Sequence, residues 1–183
     1  PGRHYLECVF FQNRTTDGIL YLNSAQFMKP FNLDGAVISG MEFNGTFSTP
    51  FHLVLENHST WQITENTSVL SYRGNKVPNE PEFSSILQFS QELLRRFTLQ
   101  YTLDFKSKVY RDPANLQENP PQWLHHGLVR WNPGKSFQMD IAVKNIADTF
   151  YEAPYSFYPY PGRQFFITLR TNLNTLPKKE ESP

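Results

Sequence analysis

Phe97-Thr98-Leu99-Gln100-Tyr101-Thr102-Leu103-Asp104-Phe105-Lys106 alternates a large apolar side chain with a polar one at every step. A period of two is the repeat of a β-strand, whose successive side chains leave opposite faces. The segment therefore predicts a strand with one apolar face and one polar face. Its length matters as much as its pattern: a tilted strand needs roughly 9–11 residues to cross a bilayer, whereas an ordinary soluble strand has about 5–6. The alternation recurs downstream. Phe137, Met139, Ile141 and Val143 oppose Gln138, Asp140, Ala142 and Lys144, and Phe165, Ile167 and Leu169 oppose Phe166, Thr168 and Arg170.

Extending this reading over the chain predicts about eight strands, bounded by turn residues. They fall near 4–23 (with a kink around Thr15 to Gly18), 34–48, 51–63, 82–92, 96–110, 122–132, 136–146 and 163–173. Helical periodicity is nearly absent. The connections at Thr49-Pro50, Leu93 to Arg95 and Pro133-Gly134-Lys135 are short, and those at 24–33, 65–81, 111–121 and 147–162 are long. Short and long alternate without exception, as they do in outer-membrane barrels with short periplasmic turns and longer extracellular loops. A soluble sandwich has no reason to keep that alternation. The expected fold is all-β: an antiparallel transmembrane β-barrel segment over residues 1–173. A polar, disordered tail follows over 174–183, where Lys178-Lys179-Glu180-Glu181 lies.

Composition agrees. Aromatic residues are 15% and charged residues 19% of the 183, yet mean hydropathy is −0.51, as expected when alternate residues face lipid and lumen. Aromatics gather near strand ends, at Trp61, Tyr72, Tyr110, Trp123, Trp131, Phe150, Tyr151, Tyr155, Phe157, Tyr158 and Tyr160; amphipathic rings favour the headgroup level, and two such girdles are predicted. The 17 basic and 17 acidic side chains cancel, which removes the electrostatic footprint of a nucleic-acid binder. The single cysteine, Cys8, excludes an intrachain disulfide and any CxxC motif. No run approaches the roughly 18 apolar residues of a spanning helix. The opening Pro1-Gly2-Arg3-His4 lacks a signal peptide, which reads as a mature terminus or a cut within a longer chain.

Four pieces of sequence, in order, resemble the end of TonB-dependent outer-membrane receptors. They are Gly35-Ala36-Val37-Ile38-Ser39-Gly40-Met41-Glu42, Lys76-Val77-Pro78-Asn79-Glu80-Pro81-Glu82-Phe83, Val143-Lys144-Asn145-Ile146-Ala147-Asp148-Thr149-Phe150-Tyr151, and Pro161-Gly162-Arg163 leading into Gln164 to Arg170. The resemblance implies a barrel of about 22 strands with a plugged lumen. Its other strands and the plug lie outside this sequence, and the partners are that remainder, TonB through the plug, and outer-membrane lipid. Family members usually end on an aromatic residue; this chain has Leu173 there and continues. The motif residues Val143, Lys144, Asn145, Asp148, Pro161, Gly162 and Arg163 have structural readings. Asn145 and Asp148 can bond nearby backbone and end the ladder at the rim. Pro161 has no N–H to leave unpaired, and Gly162 permits a close approach.

Reactive chemistry is not expected. His52, Glu56 and His58 share parity, but they span about 20 Å at roughly 3.3 Å per residue, too far for one ion. His125 and His126 point to opposite faces. Glu42, Glu56, Asp104 and Asp140 fall on lumenal faces beside Lys106 and Lys144, which suits salt bridges in a wet or plug-filled lumen better than a catalytic pair. The sequons at Asn13, Asn44, Asn57 and Asn66 are taken as chance matches. No cofactor is expected. The function expected is the wall of a receptor for a scarce ligand such as a siderophore, with Trp61, Tyr72, Arg73, Tyr110, Arg111 and Trp123 on outer loops as candidate contacts. The alternatives are a self-contained eight-stranded barrel with a structural or adhesion role, and a soluble β-domain that binds a ligand.

Overall fold

The computed structural model describes residues 4–23, 28–68, 71–134, 136–151 and 161–171. Eight strands form one sheet in the order β1-β2-β3-β4-β5-β8-β9-β10. They are β1 (Tyr5–Asn23), β2 (Met28–Ser48), β3 (Leu53–Asn66), β4 (Phe83–Leu93), β5 (Phe97–Lys106), β8 (Gln122–Gly134), β9 (Phe137–Lys144) and β10 (Gln164–Thr171). Every neighbouring pair is antiparallel. A second ribbon, β6 (Val109–Tyr110) with β7 (Glu118–Asn119), sits inside the connection from β5 to β8. Among the described residues no ladder joins β1 to β10, and the sheet is open at both edges.

The all-β expectation holds, and the strand bounds fall close to those read from alternation. Two differ. Residues 28–33, read as loop, extend β2 in register with β1, where Tyr21 faces Pro30. The strand read as 96–110 stops at Lys106, and Val109–Tyr110 turns into the small ribbon. The expected kink in β1 is present as Asp17, at φ 55°. Tyr155, Phe157, Tyr158, Tyr160 and the 174–183 tail lie outside the described residues.

Register puts the apolar residues of successive strands on one face. One row runs Phe47, Leu55, Phe89, Tyr101, Gly127, Val143, Phe165. Another, interrupted by Gln91, runs Leu53, Gln91, Leu99, Val129, Ile141, Ile167. Nothing among the described residues covers this face: Phe10 is 78% exposed, Phe165 70% and Ile167 71%. A lone sheet with such a face is not stable in water, because burial is what offsets the conformational entropy of folding. The face calls for an apolar covering.

The short turns share one end of the sheet. Thr49 to His52 closes with Thr49 N–H donating to Leu53 O at 2.8 Å and His52 N–H to Thr49 O at 3.2 Å. The turn after β4 places Leu94 and Arg95 in the left-handed region, at φ 52° and 55°, the twist that tight hairpins favour. At the other end, β1 and β2 run on well past the level of Trp61. Phe10 pairs with Met41, which pairs with Trp61, and the ladder continues to Asn23 and Met28, roughly 40 Å further along the strand at about 3.3 Å per residue. The cluster of buried apolar side chains is found on this extension, where Leu33 and Ala36 pack with Val77 from the β3–β4 loop.

Candidate functional site

The outward face carries two aromatic belts. At the loop end, Phe83, Phe105 and Trp123 lie in succession, with ring centroids 5.8 and 4.1 Å apart, and Trp61 pairs with Phe83. At the turn end, Trp131 lies 6.4 Å from Phe97 and 6.1 Å from Phe137. Phe97 and Phe105 are both on β5, so the belts stand roughly 26 Å apart along the strand at about 3.3 Å per residue. With a tilt of about 35–45° this projects to roughly 20 Å along the membrane normal, so both belts lie within the edges of the ~25 Å apolar band of outer-membrane barrels.

This geometry corrects two candidate ligand contacts. Trp61 and Trp123 are within strands, not on loops, and their rings lie on the outward face. Trp123 is held from its own backbone side as well: its N–H donates to Tyr151 Oη at 2.9 Å, and that hydroxyl donates to Trp123 O at 3.2 Å.

Polar groups on the outward face are paired sideways, as a low-dielectric solvent demands. Tyr101 Oη and His125 Nδ1 lie 2.6 Å apart. Asn57 donates to Ser85 Oγ at 3.2 Å, while Ser59 Oγ donates to Asn57 Oδ1 at 2.9 Å. His125 and His126 do face opposite sides: the Nδ1 of His126 accepts from Asn145 N–H at 3.1 Å on the inner side.

The inner face divides by height. Toward the turns, polar groups satisfy one another across strands. Gln88 bonds Glu56 and accepts from Gln100 at 2.9 Å. Higher up, level with Asp104, Asn44 bridges His58 at 2.9 Å and Glu7 at 3.2 Å. Asp140, 5% exposed, takes a two-pronged contact from Arg130 at 2.9 and 3.1 Å, a third from Arg170 at 2.9 Å, and Gln138 at 2.9 and 3.0 Å. The carboxylate is thus paired with arginines of β8 and β10, not with Lys144, whose ammonium lies 5.5 Å above the Phe166 ring. Toward the loops, Glu42, Asp104 and Lys106 line a recess of about 260 Å³ with His58. A second recess, about 440 Å³, is lined by Asp104, His126, Lys144 and Gln164 beneath Pro161 and Gly162. His52 stands in a turn at φ 61°, off β3, and no group of three or more metal-ligating side chains converges among the described residues.

Gly40 shows why a small residue stands in this wall. A Cβ there would lie 2.4 Å from Trp61 O and 2.8 Å from Phe11 Cζ; the Phe11 ring occupies the place of the missing side chain. Gly40→Ala should destabilise the barrel by about 1–3 kcal/mol, the usual cost of overpacking, because the nearer clash is with backbone. Urea unfolding in lipid vesicles measures it. Phe11→Ala combined with Gly40→Ala relieves the second clash and leaves the first, so most of the loss should persist.

The outer rim holds the family-motif residues. Asn145, buried and at φ 51°, donates to Thr149 O at 2.9 Å and Pro161 O at 3.2 Å, and accepts from Thr149 N–H at 3.0 Å. Asp148, at φ 54°, accepts from Arg163 N–H at 2.6 Å. A Cβ on Gly162 would come within 2.9 Å of that carboxylate oxygen. Val143 faces outward in register with Phe165.

Two loops stand above the rim. Tyr72 packs edge-on against Phe31, 6.1 Å between centroids, and Arg73 beside it is exposed. Tyr110 sits on β6 with the Lys108 ammonium 5.5 Å from its ring. Lys108 is ion-paired to Glu118 at 2.8 Å, and that hydrogen bond raises its pKa above the ordinary lysine value. Arg111 N–H donates to Gln117 O at 2.8 Å. The loops are stitched together: Asn75 donates to Pro113 O at 2.8 Å, Asn79 N–H to Tyr110 O at 2.8 Å, and Lys76 N–H to Asn115 Oδ1 at 2.7 Å. The structure thereby joins the Tyr72–Arg73 segment to the Tyr110–Arg111 segment, a link that sequence spacing does not show.

The sequence profile of the family described as "TonB dependent receptor-like, beta-barrel" matches residues 1–146. A curated relative, a probable TonB-dependent siderophore receptor PiuA of Acinetobacter baumannii, is 28% identical over 80 residues, 44% of this chain and 11% of that protein. The crystal structure of PiuA from the same organism superposes with TM-score 0.73 at 18% identity, over 92% of this chain and 26% of that one. BauA, the ferric preacinetobactin receptor of A. baumannii, superposes with TM-score 0.71 at 15% identity, over 92% of this chain and 27% of its own. The copper transporter OprC does so with TM-score 0.71 at 13% identity, over 93% and 29%. At these identities the likeness is one of fold. The chain spans about a quarter of the first of these structures.

Proposed function

The chain belongs to the TonB-dependent receptor β-barrel family, and from that premise we propose that it forms one wall of an outer-membrane receptor that imports a scarce ligand such as a siderophore. The observation that carries the reading is the pairing of an uncovered apolar face, banded by aromatics, with a polar inner face on a sheet open at both edges. Such a sheet needs lipid outside, an enclosed polar space inside, and further strands at β1 and β10. The missing ladder between those two strands weighs against a self-contained eight-stranded barrel, and the bare apolar face weighs against a soluble domain. A plug and TonB complete the proposed machine, and the outer membrane is its proposed location. The part assigned to this wall is transport, not bond chemistry.

Ligand contact is assigned to Tyr72, Arg73, Tyr110 and Arg111, since Trp61 and Trp123 face outward. Replacing all four with alanine in the full receptor should slow uptake of its ligand by roughly tenfold or more, the equivalent of about 1.4 kcal/mol of lost binding. The assay is uptake of iron-loaded siderophores and of copper by cells that carry this receptor alone. Uptake equal to the parent for every substrate removes these residues from the ligand path. Detergent-free solubility of the full receptor as a monomer would overturn the membrane reading.

A further inference from the structure

We propose that Asn115 is a positioning residue that fuses the β3–β4 loop and the β5–β8 loop into one rigid element of the outer rim. The inference rests on the reading of these loops as the receptor's outer surface. The Asn115 amide pairs with both backbone groups of one residue: its Oδ1 accepts from Lys76 N–H at 2.7 Å and its Nδ2 donates to Lys76 O at 3.1 Å. A neighbouring β-strand ordinarily supplies that pair of bonds. Here a side chain 39 positions away supplies it. Only an amide of this length offers a donor and an acceptor side by side; aspartate lacks the donor and leucine lacks both.

The segment around Asn115 is shaped to present it. Its φ is 57°, a conformation asparagine tolerates better than most residues. Asp112 fixes the approach: its carboxylate accepts from Leu116 N–H at 3.1 Å and Gln117 N–H at 2.7 Å, and Asn115 N–H donates to Asp112 O at 3.1 Å. Two further bonds flank the amide, Asn75 to Pro113 O and Asn79 N–H to Tyr110 O, each 2.8 Å. The partner loop is anchored below. Val77 is buried against Leu33 and Ala36, its N–H donates to Thr64 Oγ1 at 3.0 Å, and Thr67 N–H donates to Gly35 O at 2.9 Å. The β5–β8 loop is therefore held by its neighbour loop as well as by its own strands. Residues on either side of the seam keep a fixed spacing before any ligand arrives, which lowers the ordering cost of binding.

Hydrogen exchange of the full receptor in detergent, with no ligand added, tests the seam apart from transport. Asn115→Ala should speed exchange about tenfold or more in two separated segments, 74–79 and 110–117, while the strands β4 and β5 exchange as before. Asn115→Gly keeps the left-handed backbone and removes only the amide, and it should show the same double signature. Acceleration confined to 110–117, or Asn115→Gly leaving both segments protected, overturns the proposal. Loss of uptake in the four-alanine receptor bears on ligand contact alone and leaves the exchange result untouched.

Discussion

Arginine at Leu103 should unfold the barrel far more readily than arginine at Thr102, one residue away. Leu103 faces outward between the two aromatic belts, in register with Leu87 and His125. Thr102 faces the lumen beside Gln88 and His126. At the bilayer midplane an outward arginine costs about 2–4 kcal/mol and near the interface roughly 0–1. Leu103, halfway from the midplane to the loop-side belt, should cost about 1–3 kcal/mol, because a guanidinium must reach the interface or drag water into the hydrocarbon. A lumenal arginine stays hydrated and should cost less than about 1 kcal/mol, as solvated surface changes do. Equilibrium urea unfolding of the full receptor in vesicles gives both values, and the midpoint should fall further for Leu103→Arg than for Thr102→Arg. A depth series sharpens the test. Phe105→Arg sits in the loop-side belt, where the cost falls to roughly 0–1 kcal/mol for the charge, apart from what the lost ring contributed. Equal destabilisation at 102 and 103 would mean that the two faces meet the same medium, and the transmembrane reading would fail.

Faces were legible in the sequence because parity needs no partner: Phe97 to Lys106 states its own two sides. The hairpin turns were legible because few residues fit between runs of opposite direction. Three features were not. Residues 28–33 contain Pro30 and Asn32 and read as loop, since proline demotes a strand; what makes them strand is the ladder they form with β1, and Val77 backs its Leu33 from another connection. The lumenal ion pairs needed register as well as parity. Asp140 meets Arg130 and Arg170 because β8 and β10 flank β9 at matching heights, whereas Lys144, on its own strand, stands too far along. The Asn115–Lys76 seam depends on the path of two loops, and nothing local in either announces it. Trp61 and Trp123 are the opposite case. Parity was available for both, because Trp61 alternates in phase with Leu55, and Trp123 with Val129 and Trp131. That parity places both on the outward face of a strand, not on a loop.

Replacing Asp140 with alanine should cost about 2–3 kcal/mol, the largest loss from a single lumenal side chain. Its carboxylate is 5% exposed at the residue level and holds Arg130 and Arg170 together, while those guanidiniums remain 36% and 58% exposed. Breaking a fully buried pair costs about 3–5 kcal/mol, mostly from the charge left alone; here water can reach both arginines, and screening trims the figure. Asp140→Asn keeps the shape and loses the charge, so it should fall between parent and alanine. The network also carries a positional consequence. Among the described strands β10 pairs only with β9, and the Arg170 bond to Asp140 adds a side-chain tie between them at 2.9 Å. Amides of β10 should therefore exchange faster in Asp140→Ala, with Arg170→Ala giving a smaller effect of the same kind. In a double-mutant cycle, Asp140→Ala with Arg130→Ala should recover part of the loss, since the second change removes one of the two stranded charges. An Asp140→Ala barrel within about 0.5 kcal/mol of the parent, the range of an ordinary surface change, would show that solvent replaces the carboxylate without penalty.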